Sequence, residues 1–180
     1  MISYYLGLSL FLFIIFIVLL FYISQAIAMI FFKVPTVGTP KKNLIIINDL
    51  LPKNELTTFF DLGSGTGKAL FFFSKTHPKI NFIGFETSIF AYLYSNLKKI
   101  IFKRQNVSFK FKNFFNFSWQ KADYIYTYLW PSLMTRVETK FIKETNPKCV
   151  LFDSAFKLPN LTPKQILDKK RPCLYLYQKD

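Results

Sequence analysis

Hydrophobic residues crowd one end of this chain and take turns with polar ones along the rest. From Ile2 to Phe32 there is no Asp, Glu, Lys, Arg or His, and Leu6 to Phe21 is apolar apart from Gly7 and Ser9. A bilayer core of about 30 Å takes roughly 20 apolar residues in helix. A helix also satisfies its own backbone groups, which lipid cannot do. Residues 1–32 therefore predict one transmembrane helix, with residues 6–32 facing the bilayer. A buried core helix fits poorly because the stretch has no polar face. The competing pattern is a cleaved signal peptide, for which Ala26-Ile27-Ala28 supplies an A-x-A site. Against it, no Lys or Arg precedes the run, which also exceeds the usual signal core of about 7–15 residues.

Residues 33–40, with Pro35, Gly38 and Pro40, read as a linker to a body at 41–180. Lys41 to Leu51 predicts a helix, with Leu44, Ile45, Ile47, Leu50 and Leu51 near a 3.6 period. Strands then alternate with helices. Leu56–Leu62, Ile80–Glu86, Val107–Lys112, Asp123–Leu129, Cys149–Ser154 and Cys173–Tyr177 read as strands. Gly65–Lys75, Ser88–Phe102 and Ser132–Glu144 read as helices. That order predicts an α/β fold with a parallel sheet covered on both faces. The strict alternation from Val107 to Lys112 suits an edge strand.

Charge sharpens the picture. The 24 Lys and Arg against 10 Asp and Glu give a net +14 over 180 residues, all of it beyond residue 32. Lys33, Lys41 and Lys42 follow the apolar run and no cation precedes it. The positive-inside rule then puts the body in the cytoplasm, or in the matrix of an organelle. Cys149 and Cys173 are too few for a disulfide framework and suit a reducing compartment. With His77 as the one imidazole they lack zinc-ligand spacing, so no metal is expected. His77 lies in the loop-like Thr76-His77-Pro78, which also argues against a hydrolytic triad.

Three of the six glycines fall in Asp61-Leu62-Gly63-Ser64-Gly65-Thr66-Gly67-Lys68, between a strand and a helix. Glycines there allow tight turns and close approach of backbone to a ligand, and the helix behind offers free N–H groups. A phosphate loop of the Walker type fails twice, at Leu62 and at Ala69. The G-x-G-x-G spacing is not the dinucleotide G-x-G-x-x-G either. Asp61 would repel a pyrophosphate but suits a ligand whose near end carries an ammonium group.

These residues resemble motif I of the class I S-adenosylmethionine-dependent methyltransferases. Glu86, closing the second strand with Thr87 behind it, stands where that family places the acid for the ribose hydroxyls. Asn113-Phe114, after the third strand, stands where it reads the adenine edge. The resemblance implies a Rossmann-like sheet of six to seven strands and the cofactor S-adenosyl-L-methionine. It implies cofactor-binding roles for Asp61, Gly63, Ser64, Gly65, Thr66, Gly67, Glu86, Thr87, Asn113 and Phe114. Taken singly, Asp61 also reads as a helix cap, Glu86 as a strand-end acid and Asn113 as a turn residue.

Nearly the whole chain is similar to membrane-anchored protein-lysine methyltransferases, the family that includes the mitochondrial enzyme for the ATP synthase c-subunit. An apolar span, then Val34-Pro35-Thr36, a helix and motif I come in that family's order. Ala122 to Met134, with its Leu129-Trp130-Pro131 turn, and Phe156-Lys157-Leu158-Pro159-Asn160-Leu161-Thr162-Pro163 resemble its later motifs. Thr66-Gly67-Lys68 departs from its usual Asp-Gly-Arg. Six strands are counted where the family has seven, so its closing antiparallel hairpin is expected to be short or absent.

The resemblance implies a protein lysine near the membrane surface as substrate, in the mitochondrial inner membrane facing the matrix if the source is eukaryotic. An attacking lysine must be neutral, and a free one with pKa about 10.4 is protonated at pH 7. Desolvation in an aromatic pocket lowers that value. In this family the fourth-strand end faces the sulfonium, which makes Tyr128, Tyr126 and Trp130 the catalytic candidates, Tyr128 foremost. Their rings could also hold a methylated amine; core packing is the other reading of them. Lys157 and Lys169-Lys170-Arg171 could grip anionic lipid. Two alternatives stay open. One is transfer to RNA, favoured by the net +14 but opposed by the anchor, or to a lipid or quinone headgroup. The other is a non-catalytic cofactor-binding scaffold.

Overall fold

The structure is a computed structural model that describes residues 2–32 and 38–179. Helix α1 spans Ile2–Phe32. Its segment Tyr5–Ala26 has a mean hydropathy of 3.0, long and apolar enough to cross a bilayer, and none of it is buried against the body. The Val34-Pro35-Thr36 stretch, most of the expected linker and Lys33 lie outside the described residues.

Helix α2 (Lys41–Leu50) buries Leu44 and Ile47, while Ile45 and Leu50 of the same expected stripe face outward. Then follow β1 (Thr57–Leu62), α3 (Lys68–Phe73), β2 (Ile80–Glu86), α4 (Ile89–Ile101) and β3 (Val107–Phe111). A 3-10 turn at Phe114–Asn116 leads to β4 (Tyr124–Thr127), α5 (Pro131–Glu144), β5 (Val150–Ser154), β6 (Gln165–Asp168) and β7 (Leu174–Gln178). The seven strands form one sheet in the order β3-β2-β1-β4-β5-β7-β6. The five strands from β1 to β5 pair in parallel, while β7 is antiparallel to both β5 and β6. The sheet is thus mixed rather than wholly parallel. The closing hairpin that the strand count left out is present, through β6.

The sheet separates two apolar layers. Odd-numbered residues of β1, such as Phe59, face Leu44 and Ile47 of α2 and Leu70 and Phe73 of α3. Even-numbered ones, Phe60 and Leu62, face Leu133, Val137 and Phe141 of α5. Period-2 alternation produces this division. Each fully buried Phe contributes about 1.5–3 kcal/mol of transfer free energy, and Phe59, Phe60, Phe73, Phe82, Phe85, Phe141 and Phe152 are all in that state. Much of the aromatic content of the body is therefore core, while α1 keeps Tyr5, Phe11, Phe13, Phe16 and Tyr22 exposed. Strand order reverses between β1 and β4, so the loops after these two strands diverge and leave a crevice at their C-terminal ends.

Candidate functional site

The loop after β1 occupies that crevice. Gly63, Gly65 and Gly67 have φ of +80°, +53° and +76°, a left-handed backbone that side-chain-bearing residues rarely adopt. The expected helix at Gly65 starts only at Lys68, because these three turns complete a loop first. Gly63 and Ser64 donate N–H bonds to the Phe85 carbonyl at 3.0 and 2.9 Å, stitching the loop to β2. Gly84 makes this approach possible: a Cβ there would stand 2.6 Å from Ser64 Oγ and 2.8 Å from the Phe109 ring. A Cβ on Gly63 would stand 3.0 Å from Leu129, so the β1 and β4 loops touch across the crevice. A Cβ on Gly65 would meet nothing within 4 Å. The open side of the loop is therefore at Gly65.

Two carboxylates flank this loop. Asp61 is 3% exposed, in register with Gly84 of β2 and Tyr126 of β4. Burial, with the Glu86 charge adding to it, pushes its pKa up to about 8. Glu86 Oε2 accepts the Gly65 N–H at 2.7 Å, and Oε1 accepts Thr87 and Ser88 N–H, each at 2.7 Å. Glu86 therefore turns toward the glycine loop, not away from it. Ser64 Oγ is buried without a hydrogen-bond partner. An open glycine face with the Glu86 carboxylate bound to it, and the Asp61 charge close enough to feel Glu86, fit a ligand that carries a cation at one end and hydroxyls further along. The Thr66 carbonyl accepts a hydrogen bond from Lys98 Nζ at 3.3 Å.

Asn113 and Phe114, expected at the adenine edge, both make contacts within the turn after β3. Asn113 Oδ1 accepts the Phe115 N–H at 2.9 Å and caps the 3-10 turn, so its side chain serves the turn first. Phe114 is buried in the α5-side core and its carbonyl accepts Trp119 Nε1 at 3.0 Å. The three aromatics near β4 do not form one pocket. Tyr126 is 1% exposed in the α2–α3 layer, its hydroxyl donating to Ser154 Oγ at 3.1 Å, and burial raises its pKa. Tyr128 is half-buried against that same layer. Trp130 is exposed and packs edge-on against Phe156 on the other side.

Sequence reasoning missed a second polar group at the strand ends. Thr127 and Asp153 are register partners on β4 and β5, both fully buried. Alternation from Ile125 and Leu151 puts both on the α5 side. Thr127 Oγ1 and Asp153 Oδ2 have no hydrogen-bond partner. Asp153 Oδ1 accepts only a long bond of 3.4 Å from Phe156 N–H. Burial holds the Asp153 carboxyl well above its ordinary pKa. The available signal was an acid inside the apolar strand Val150-Leu151-Phe152-Asp153-Ser154. On the other face, Asn43 of α2 donates to Ser154 Oγ at 2.9 Å. Among the described residues, no group of three or more His, Cys, Asp or Glu is placed to hold a metal ion.

The fold has relatives of known structure. One is an RNA methyltransferase from Salinibacter ruber in complex with S-adenosyl-L-homocysteine, with a TM-score of 0.72 and 21% identity over 79% of this chain and 93% of that one. PKMT2 from Rickettsia typhi gives a TM-score of 0.54 and 23% identity, covering 69% of this chain but only 27% of that longer protein. Trm5b from Pyrococcus abyssi gives 0.57 and 15% identity over 78% of this chain and 48% of that one. At these identities the likeness is one of fold. No curated protein matches the sequence. A family match carries more: the ANTKMT methyltransferase domain covers residues 61–165, from the Asp61 loop through Asp153 and into β6. The chain belongs to that family and is a methyltransferase that depends on S-adenosylmethionine.

Proposed function

We propose that the chain is a protein-lysine N-methyltransferase, anchored by α1 as a single membrane span, that acts on a membrane-associated protein. The domain limits proposed are a span over 1–32, a linker over 33–40 and a catalytic body over 41–180. The observation that carries the reading is the pairing of Asp61 and Glu86 around the open side of Gly65. Asp61 would hold the ammonium end of the cofactor and Glu86 its ribose hydroxyls. Gly63, Ser64, Gly65, Thr66, Gly67 and Thr87 would line its path, with Asn113 and Phe114 beyond. When bound, S-adenosylmethionine supplies an electrophilic methyl carbon on its sulfonium.

The chain's own task is to deliver a neutral amine there. Thr127 and Asp153 offer two buried oxygens without partners on one face of the sheet, beside the β4 loop. An ammonium docked there leaves water, and desolvation favours its neutral form. Burial raises the Asp153 carboxyl toward the amine's own range, so its anion, where formed, takes a proton more readily than an exposed carboxylate does. Asp153 thus joins Tyr128, which packs against the opposite layer, and Trp130, which meets Phe156 edge-on, as a catalytic candidate. Tyr126 is assigned a positioning role, since its hydroxyl is committed to Ser154.

The family match supports a protein substrate, as does the fold likeness to PKMT2, while the fold likeness to an RNA methyltransferase supports the RNA alternative. The positive-inside pattern supports a body in the cytoplasm or an organelle matrix. The test is to incubate membranes that contain the chain with methyl-labelled cofactor. Label on lysine of an integral protein is expected; label confined to RNA, lipid or quinone refutes the substrate assignment.

A further inference from the structure

Helix α4 carries a stripe that the fold does not use. It buries only Ala91 and Ser95 fully. Ile89, Leu93, Leu97, Ile100 and Ile101 share one face at helical spacing, with exposures from 40% at Ile89 to 72% at Ile100. Contiguous exposed hydrocarbon of this kind marks an interaction surface. Charge frames it. Residues 88–112 hold Lys98, Lys99, Lys103, Arg104, Lys110 and Lys112 and no Asp or Glu. At the C-terminal end of α4 lies a pocket of about 440 Å³, where Lys68, Lys75, Lys98 and Arg104 surround Phe71 and Phe102. Lys98 sits 4.7 Å over the Phe71 ring and makes no ion pair among the described residues. Its charge is partly desolvated and not neutralised.

We infer that the outward face of α4 and the basic pocket at its end dock onto an anionic phospholipid surface, so that the body lies against the bilayer that α1 spans. This rests on the anchor reading given above. The apolar stripe would enter the acyl boundary while the flanking cations meet phosphate headgroups, the arrangement of an interfacial amphipathic helix. Position agrees with chemistry. Gln25, at the end of the apolar span, donates to Ser88 Oγ at 2.8 Å, and Ser88 caps the N-terminus of α4. The helix therefore begins where the span ends. RNA would meet the cations but has no hydrocarbon for the stripe. A second copy would set this acid-free cationic rim against its own like charges.

The test uses the full chain with Cys173→Ser and Ile100→Cys, labelled with an environment-sensitive fluorophore and reconstituted into vesicles. The vesicles contain phosphatidylcholine alone or with phosphatidylglycerol. With the anionic lipid the probe should shift to the blue and be quenched by nitroxide placed on the acyl chains. A probe in a Lys121→Cys chain should do neither. Lys75→Ala and Arg104→Ala should each lower the ratio of docked to undocked body about fivefold. Alkaline extraction reports the anchor separately. A chain released by it removes the span itself. A chain retained, with an unquenched probe at position 100, overturns the docking surface alone. Shielding of the probe that needs added RNA, or that vanishes as protein is diluted in lipid, overturns the lipid assignment in favour of nucleic acid or a second copy.

Discussion

Replacing Asp61 by Asn should move stability and cofactor affinity in opposite directions. The folded chain holds this carboxyl at about 8, against an ordinary 3.8. A raised acid favours the folded state fully only below the unfolded value. As pH rises from about 4 toward 8, the unfolded chain has lost a proton that the folded one keeps, and stability falls. With one unit equal to 1.36 kcal/mol, the penalty at pH 7 is on the order of 4 kcal/mol. Asn, similar in shape and never ionised, removes it, so the ligand-free variant should melt higher at pH 7. S-adenosylmethionine should bind it more weakly, because a hydrogen bond to a charged group contributes about 1.5–3 kcal/mol. Wild-type binding spends about 1.4 kcal/mol at pH 7 to ionise Asp61, which leaves a net loss of about 0.9 kcal/mol at mid-range, or about fourfold. The linked proton is the sharper readout. At pH 7 about nine Asp61 carboxyls in ten are protonated, and the ligand amine, with pKa near 7.8, takes up about 0.1 proton. Titration calorimetry in two buffers of different ionisation enthalpy should show release of about 0.8 proton on binding to wild type, lost in Asp61→Asn. Equal release by both proteins, or a variant that melts lower than wild type, would refute the assignment of Asp61 as a buried, ligand-ionised acid.

Asp153→Asn should leave cofactor affinity unchanged and lower kcat by about a hundredfold or more. Its rate should climb with pH as bulk solvent deprotonates the substrate amine, and a loss under threefold would remove Asp153 from proton transfer. Gly84→Ala drives a methyl into Ser64 and Phe109. It should cost about 1–3 kcal/mol by denaturant unfolding, with weaker cofactor binding, and wild-type values for both would be contrary evidence. Glu138 is buried and accepts Asn160 N–H at 2.8 Å, Leu161 N–H at 2.5 Å and Asn160 Nδ2 at 2.9 Å, tying the segment after β5 to α5. Glu138→Gln can keep part of this network, whereas Glu138→Ala should lose about 1–3 kcal/mol for each buried donor it strands. Indistinguishable melting of the two variants would contradict that role.

Sequence pattern located β2, β3 at the edge and the glycine loop because each rests on local signals: alternation, glycine density and an acid at a strand end. It overran α3 by three residues at its start because the loop's left-handed turns continue to Gly67. It missed β6, whose Gln165-Ile166-Leu167-Asp168 is short, and exposed through Ile166. That strand exists through pairing with β7, a long-range event with little local trace. Tyr126 and Trp130 diverged for a similar reason: sequence spacing gives proximity, but the sheet assigns them to opposite apolar layers. The Thr127–Asp153 pair emerged only once register set β4 beside β5. His77, set aside as a nucleophile partner, proves to be a buried structural residue whose Nδ1 lies 3.2 Å from the Phe73 carbonyl.

Ser88 has one further consequence. Its amide holds Glu86 while its hydroxyl takes the amide of Gln25. One residue thus splices the greasy stalk to the nucleoside grip. Trimming the stalk for solubility would leave that splice open, and kinetics measured on such a shortened protein would describe a different catalyst from the full chain.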